Sequence, residues 1–173
     1  MTPLPPTLYG SAPPPPLQVW RLDAKKYSST WATAEGAFLV GGRWSPEGRR
    51  IAYTSLDPST AILEVAVHKG FKTLDVVPHQ LIRIEITDPS KVHVLDLSTV
   101  GNLNWLRSGA VSPNQQAFGA ELLEKHPLLV VPSVVSTNSW NLLIDVDRAA
   151  GLFKEVSQEA FALDTRLAVI KPP

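Results

Sequence analysis

The sequence predicts a single α+β domain of mixed sheets with few helices. Three observations support this class. The length of 173 residues suits one domain. The chain has 44% hydrophobic residues and a mean hydropathy of +0.02, which suffice for a buried core. Short segments with a β-strand pattern alternate with only two helical segments. No internal repeat is visible. We therefore expect one compact unit and neither a solenoid nor a disordered chain.

The N-terminal residues 1–16 differ in composition from the rest of the chain. They contain seven of the 16 prolines, including the run Pro13–Pro16, which favours an extended polyproline II conformation without backbone donors. We predict a proline-rich arm over residues 1–16 and a folded domain over residues 17–173. The alternative function for the arm is a proline-rich ligand for an aromatic groove.

Strand patterns dominate the region before residue 56. The predicted strands are Val19–Leu22, Ala37–Val40 and Arg50–Ser55. Gly41-Gly42 marks a bulge or a close backbone approach. Because Pro46-Glu47-Gly48 is typical of a turn, we expect the third strand to pair with the second.

A helix is predicted between Asp57 and Gly70. Asp57 is suited to the N-cap, Pro58 to the first helical position and Gly70 to the stop. Apolar residues cover every face of this segment, so we expect a buried helix in which Glu64 is the only charge before His68-Lys69.

The second half of the chain contains further strands and one more helix. The predicted elements are strands Leu81–Ile86 and Val92–Leu95 with a turn at Asp88–Ser90, helix Gln115–Lys125, strand Leu128–Val131 and an edge strand within Phe161–Ile170.

Composition excludes several classes of function. Sixteen basic and 16 acidic residues give no net charge to attract nucleic acid, so we expect no direct DNA binding. The absence of cysteine excludes disulfides, thiolate nucleophiles and cysteine zinc sites, and the four histidines form no metal-binding pair, so no metal is predicted. With no membrane-span pattern and no signal peptide, we expect a soluble, cytoplasmic protein.

Glu64 is the strongest candidate for a functional residue, because a carboxylate on an apolar helix requires a partner. The alternative is a structural ion pair between Glu64 and an arginine.

Arg43 follows two glycines and offers a planar pair of donors to phosphate or carboxylate. Tyr53 and Ser133 are, from their local patterns alone, a half-buried aromatic and a turn serine. His68 lies one turn after Glu64, where it either orients the carboxylate or interacts with the last carbonyls of the helix.

Several segments together resemble the RES domain, a family named for its arginine, glutamate and serine. The matching segments, which span roughly residues 17–170, are Val19–Leu22, Gly42–Ser45, Ala52–Ser55, Ala61–His68, Val131–Ser133 and Phe161–Leu167. One segment departs from the family pattern. The family usually reads Asn-Tyr-Leu-Ile/Phe-Asn-Pro after the serine, whereas this chain retains Asn141 but has Asp145 and no proline.

The resemblance implies a fold like that of ADP-ribosyltransferases and the activity of a toxin that consumes NAD. NAD is then the substrate, and no other cofactor is implied. Arg43, Tyr53 and Glu64 match the family's catalytic positions, with Arg43, Tyr53, Ser133 and Asn141 as NAD-binding residues. In this interpretation the Glu64 carboxylate stabilises the ribose cation and Arg43 holds the dinucleotide. Tyr53 stacks on nicotinamide, and Ser133 forms a hydrogen bond with the ribose or a phosphate.

The resemblance also implies a protein partner, an Xre-type helix-turn-helix antitoxin that covers the active site and contacts DNA on behalf of the complex. Three functions remain open from the sequence. The first is NAD hydrolysis by cleavage of the nicotinamide–ribose bond, the second is mono-ADP-ribosylation of a cellular protein, and the third is a non-catalytic binding module in which Glu64 and Arg43 form a structural pair.

Overall fold

A computed structural model of the protein describes residues 16–163, which form one mixed α+β domain, as the sequence predicted. The strands are β1 (Leu17–Ala24), β2 (Ile51–Ser55), β3 (His79–Ile86), β4 (Val92–Val94), β5 (Leu128–Pro132), β6 (Trp140–Asp145) and β7 (Phe153–Phe161). The α-helices are α1 (Glu35–Val40), α2 (Pro58–Lys69), α3 (Phe71–Val76) and α4 (Pro113–Lys125). Short 3-10 helices occupy Lys25–Tyr27, Trp31–Thr33, Pro89–Lys91, Leu97–Thr99 and Leu103–Leu106.

All seven strands belong to one sheet in the order β4-β5-β6-β2-β1-β3-β7. Neighbouring strands are antiparallel except for the parallel pair β4–β5. Strands β2 and β6 therefore lie in the middle of the sheet. The segments that follow or precede them, α2 and the loop after β5, meet over the same central region.

The centre of the sheet is buried on both faces. Leu128 and Val130 of β5 contribute to one hydrophobic cluster, whereas Leu129 and Val131 contribute to the other. Burial of successive side chains explains why β5 is a continuous apolar run instead of an alternating one. It also explains why the sequence identified β5 as a buried strand.

Helix α2 begins and ends at the predicted residues. The Asp57 side chain accepts a hydrogen bond from the Thr60 amide at 2.8 Å, and Gly70 ends the helix with a φ of 81°. The prediction that this helix is buried on every face is wrong, since Val67 is 59% exposed. The helix lies across the sheet with Ala61 and Ala66 inward, and its opposite side faces solvent.

The predicted strand Ala37–Val40 is wrong, because these residues form the end of α1. A run of four apolar residues does not distinguish a strand from a helical turn, and Leu39 and Val40 are exposed on a short helix. The predicted pairing with Arg50–Ser55 is consequently wrong too. Strand β2 pairs instead with β6 and, at Ser55, with Trp20 of β1.

The last strand of the sheet starts earlier than predicted. Strand β7 occupies Phe153–Phe161, and residues 164–170 of the predicted edge strand lie outside the described residues. Strand β6 and helix α3 were not predicted as elements. Residues 1–15 of the predicted arm also lie outside the described part of the chain.

Candidate functional site

Glu64 is held by two side chains from the central sheet region. Its Oε1 atom accepts hydrogen bonds from Ser133 Oγ at 2.8 Å and from Asn141 Nδ2 at 2.6 Å. Its other oxygen, Oε2, lies 3.8 Å from Nε2 of His68, one helical turn further along α2. The carboxylate thus has one oxygen fixed by two donors and a second oxygen with a loose contact.

Local structure explains the position of both donors. Strand register pairs Asn141 of β6 with Ser55 of β2, and the Ser55 hydroxyl donates to Asn141 Oδ1 at 2.7 Å. Strand β5 ends at Pro132, so Ser133 begins the following turn, where its Oγ accepts the Val135 and Ser136 amides. Each donor is oriented by a second hydrogen bond before it reaches Glu64.

A tight turn carries Arg43 to the same region. The Gly42 amide donates to the Ser45 carbonyl at 2.8 Å, and the Tyr53 hydroxyl accepts the Trp44 amide at 3.1 Å. A Cβ at Gly42 would overlap the Tyr53 hydroxyl. The predicted close approach at Gly41-Gly42 is confirmed, and it is a contact between this turn and Tyr53.

The Arg43 guanidinium is oriented by backbone carbonyls. It donates to the carbonyl of Arg107 at 3.3 Å and to that of Gly109 at 3.1 Å. Partial burial lowers the pKa of Arg43 from its usual value, while the charge of nearby Glu64 opposes that shift. Arginine remains charged at neutral pH despite such a shift.

Tyr53 contributes a neutral phenol. Burial raises its pKa, and the hydrogen bonds to Ser45 and Trp44 only partly oppose the rise. Its hydroxyl is occupied by the turn that carries Arg43, 3.0 Å from Ser45 Oγ. The Tyr53 hydroxyl is therefore engaged by the turn. Tyr53 and Glu64 are both among the residues that line the cleft.

These side chains line a cleft of about 1340 Å³. Small-ligand pockets usually measure ~300–1,000 Å³, so this cleft has room for a ligand as large as a dinucleotide. Arg43, Tyr53, Glu64 and Asn141 are among its lining residues. The sequence-predicted site residues therefore come together in one place, with Ser133 buried directly behind Glu64.

Two of the predicted NAD-binding residues, Ser133 and Asn141, contact Glu64 directly. The hydrogen bonds of Ser133 and of the Asn141 amide go to Glu64 and its surroundings. Ser133 is only 3% exposed. Both side chains therefore fix the carboxylate of Glu64, and Asn141 also lines the cleft.

The predicted alternative of a structural ion pair is not found. Among residues 16–163, no arginine forms a salt bridge with Glu64. Arg43 is near enough to act on Glu64 electrostatically, but it is bonded to carbonyls instead. Two charges of opposite sign therefore face one cleft without neutralising each other by direct contact.

Arg21 is a cleft residue that the sequence reasoning missed as a site residue. Its guanidinium donates to Asp23 Oδ2 at 2.9 Å and to the Tyr53 carbonyl at 3.0 Å, and it lines the cleft. The available signal was an arginine inside the first strand, next to a buried aspartate. His68 also lines the cleft, and its proximity to Glu64 favours the first of its two predicted functions.

Residues 16–163 contain neither a metal-binding cluster nor a membrane-spanning helix. No group of three or more His, Asp or Glu side chains is arranged as a metal site. No helix in this range has the length and apolar character needed to cross a membrane.

The fold and the site define a class of protein, a single α+β domain with a carboxylate fixed by serine and asparagine in an arginine-lined cleft. The family model described as RES domain matches residues 18–164. The chain therefore belongs to the RES domain family.

Curated relatives agree with this assignment. The toxin Res of Photorhabdus laumondii is 31% identical over 158 residues, which cover 88% of this chain and 98% of that protein. The toxin Res of Yersinia enterocolitica is 32% identical over 157 residues, covering 87% and 99%. A solved structure, the Mycobacterium tuberculosis MbcT–MbcA toxin–antitoxin complex, has a TM-score of 0.69 at 20% identity and 85% coverage of each chain. That likeness supports the fold.

Proposed function

We propose that this chain is a toxin that cleaves the nicotinamide–ribose bond of NAD by hydrolysis. The observation that carries the proposal is the asymmetric holding of Glu64. One carboxylate oxygen is fixed by Ser133 and Asn141, and the other oxygen is left beside a cleft that is large enough for a dinucleotide. Membership in a family of toxins supports it.

The chemistry needs a fixed negative charge. As the nicotinamide–ribose bond breaks, the electron pair leaves with nicotinamide and the ribose anomeric carbon becomes cationic. Glu64 stabilises this cation, and a preorganised carboxylate in a partly buried site does so without reorganisation. Water then attacks the anomeric carbon and releases one proton. The products are ADP-ribose and nicotinamide.

Arg43 supplies the positive charge that binds the substrate in this proposal. NAD carries its negative charge on the pyrophosphate, which planar guanidinium groups bind with paired donors. Arg43 and Arg21 both line the cleft. Arg21 is already paired with Asp23, whereas the guanidinium of Arg43 contacts backbone carbonyls, so Arg43 is the one that we assign to the pyrophosphate. The Tyr53 ring offers a stacking surface for nicotinamide. These contacts orient the bond to be broken relative to Glu64.

A single assay tests the proposal and separates it from the two alternatives. Purified chain is incubated with NAD labelled in the adenine part, and the products are separated from protein. Free ADP-ribose with nicotinamide supports hydrolysis. Label attached to a protein supports mono-ADP-ribosylation. Unchanged NAD contradicts both enzymatic functions and favours a non-catalytic binding module.

We propose in addition that an antitoxin with an Xre-type helix-turn-helix restrains this toxin in the cytoplasm by covering the cleft. The similar fold of a toxin that was solved together with its antitoxin supports the existence of such a partner. The zero net charge of the chain supports indirect DNA contact, through the antitoxin, because counterion release requires an excess of basic residues.

A further inference from the structure

Helix α4 contacts the turn that carries Arg43. The Gln116 side-chain Nε2 donates to the Gly42 carbonyl at 2.9 Å. One helical turn further on, Gly119 packs against the Trp44 carbonyl so closely that a Cβ would overlap it. The helix thus touches the residues on both sides of Arg43.

The opposite side of the turn is also fixed. Trp44 is 2% exposed and belongs to the same hydrophobic cluster as Leu129 of β5 and Leu143 of β6. Its amide donates to the Tyr53 hydroxyl of β2. The backbone around Arg43 is therefore held between the sheet and α4, and the Arg43 side chain extends into the cleft.

The guanidinium end of Arg43 depends on the same region of the chain. Its carbonyl acceptors, Arg107 and Gly109, lie in the segment that leads into α4, which begins with Ser112 as the N-cap. Both ends of the arginine are consequently tied to α4 or to the segment before it. Among these contacts, the hydrogen bond from Gln116 is the one that a side-chain substitution on α4 removes.

We propose that Gln116 is a positioning residue for Arg43, which sets the place of the guanidinium in the cleft through its hydrogen bond to the Gly42 carbonyl. A paired-donor contact requires its donors to be placed within a fraction of an ångström. Loss of the Gln116 bond releases the turn on one side and reduces that accuracy. The kinetic consequence of this proposal rests on the proposed NAD cleavage.

The test compares three variants of α4. Gln116→Ala removes the side chain, and Gln116→Glu preserves its size but cannot donate to the Gly42 carbonyl when ionised. Asn114→Ala is the matched control, since it removes an exposed amide from the first turn of the same helix. Thermal unfolding of each variant shows whether the fold is retained.

The first readout does not depend on activity. Hydrogen exchange of the backbone amides over residues 41–50 is measured by mass spectrometry. We expect faster exchange in both Gln116 variants and wild-type exchange in Asn114→Ala. Unchanged exchange in the Gln116 variants overturns the proposal whether or not the protein cleaves NAD.

The second readout is the split between KM and kcat. We expect the KM for NAD to rise about fivefold in Gln116→Ala, as for the loss of one neutral hydrogen bond, with kcat changed less. In an Arg43→Ala background, Gln116→Ala should have no further effect on KM, because it acts through Arg43. Additive effects of the two substitutions overturn the proposal. Absence of wild-type turnover instead contradicts the proposed function and leaves the exchange result to decide the positioning role.

Discussion

Asn141 Nδ2 lies 2.6 Å from Oε1 of Glu64, and Ser133 donates to that same oxygen. Two donors on one oxygen fix the rotation of the carboxylate and leave Oε2 as the oxygen available to a ligand. This asymmetry distinguishes the site from a simple ion pair, in which an arginine occupies both oxygens. It also yields the first two predictions.

Glu64→Gln should lower the rate of NAD turnover by at least ~10²-fold, the magnitude typical for loss of a key electrostatic group. The fold should survive, because a glutamine oxygen still accepts the bonds from Ser133 and Asn141. Turnover and the unfolding temperature are the measurements. Glu121→Gln, an exposed change on α4, is the control. Wild-type turnover in Glu64→Gln contradicts the catalytic role, and an unfolded variant indicates a structural one.

Asn141→Ala should lower kcat by about tenfold, since one hydrogen bond to a charged group is lost. Ser55→Ala should have a smaller effect, because Ser55 acts on Glu64 only through Asn141. The ratio of kcat values between the two variants is the measurement. A larger effect of Ser55→Ala than of Asn141→Ala contradicts this order of action.

Arg43→Lys retains a positive charge but loses the planar pair of donors. The expected result is a raised KM for NAD, about tenfold for the loss of charge-assisted hydrogen bonding, with a smaller decrease in kcat. Steady-state kinetics with varied NAD measure both. Lys69→Gln serves as a control for the loss of a charge at the rim of the cleft. Kinetics identical to wild type mean that Arg43 does not contact the dinucleotide.

His93 and His126 are stacked with 3.8 Å between ring centroids and an angle of 7° between planes. Burial, together with the charge of His126, lowers the pKa of His93 below 6.5. The unfolded chain therefore binds more protons than the folded one in acid. The contribution of His93 to the free energy of unfolding is fully present above pH 6.5. It is lost as the pH decreases toward the pKa of His93 in the folded protein.

Denaturant unfolding at pH 7.5 and pH 5.5 measures this loss of stability. We expect a smaller loss in His93→Gln than in wild type, and a wild-type loss in the exposed control Lys72→Gln. An equal loss in wild type and His93→Gln shows that other groups cause the acid sensitivity.

Expression of the chain alone should stop growth and deplete cellular NAD, whereas co-expression with the neighbouring gene should prevent both effects. The isolated chain should not bind DNA specifically, while its complex with the antitoxin should. Growth, NAD content and a DNA-binding assay are the measurements. Harmless expression of the chain alone, or specific DNA binding without a partner, contradicts the proposed restraint by an antitoxin.

Local signals explain which elements the sequence predicted correctly. Helix α2 carries its own start and stop at Asp57 and Gly70, so its ends needed no tertiary information. Strand β5 was recognisable because burial on both faces requires a continuous apolar run. Residues 37–40 lack such signals. Whether these residues pair in a sheet depends on strands far along the chain, and β2 found its partners in β1 and β6.

The site was predictable in its residue types but not in its contacts. An isolated carboxylate on an apolar helix indicated a partner for Glu64, and the resemblance to a family indicated Arg43 and Ser133. The identity of the partners, however, depends on the register that sets Asn141 opposite Ser55. The contact of Gln116 with Gly42 left no local signal, because glutamine on a helix is ordinarily a surface residue.

The contacts that fix Glu64 span 69 and 77 residues of sequence. During synthesis, Glu64 is added to the chain well before Ser133 and Asn141. At ~5–20 residues per second, roughly 4–15 s separate the addition of Glu64 from that of Asn141. A growing chain therefore lacks the oriented carboxylate until β6 is made, so a truncated translation product that ends before β6 should be inert toward NAD. Under the proposed function, cleavage of NAD by this chain begins only near the end of its synthesis.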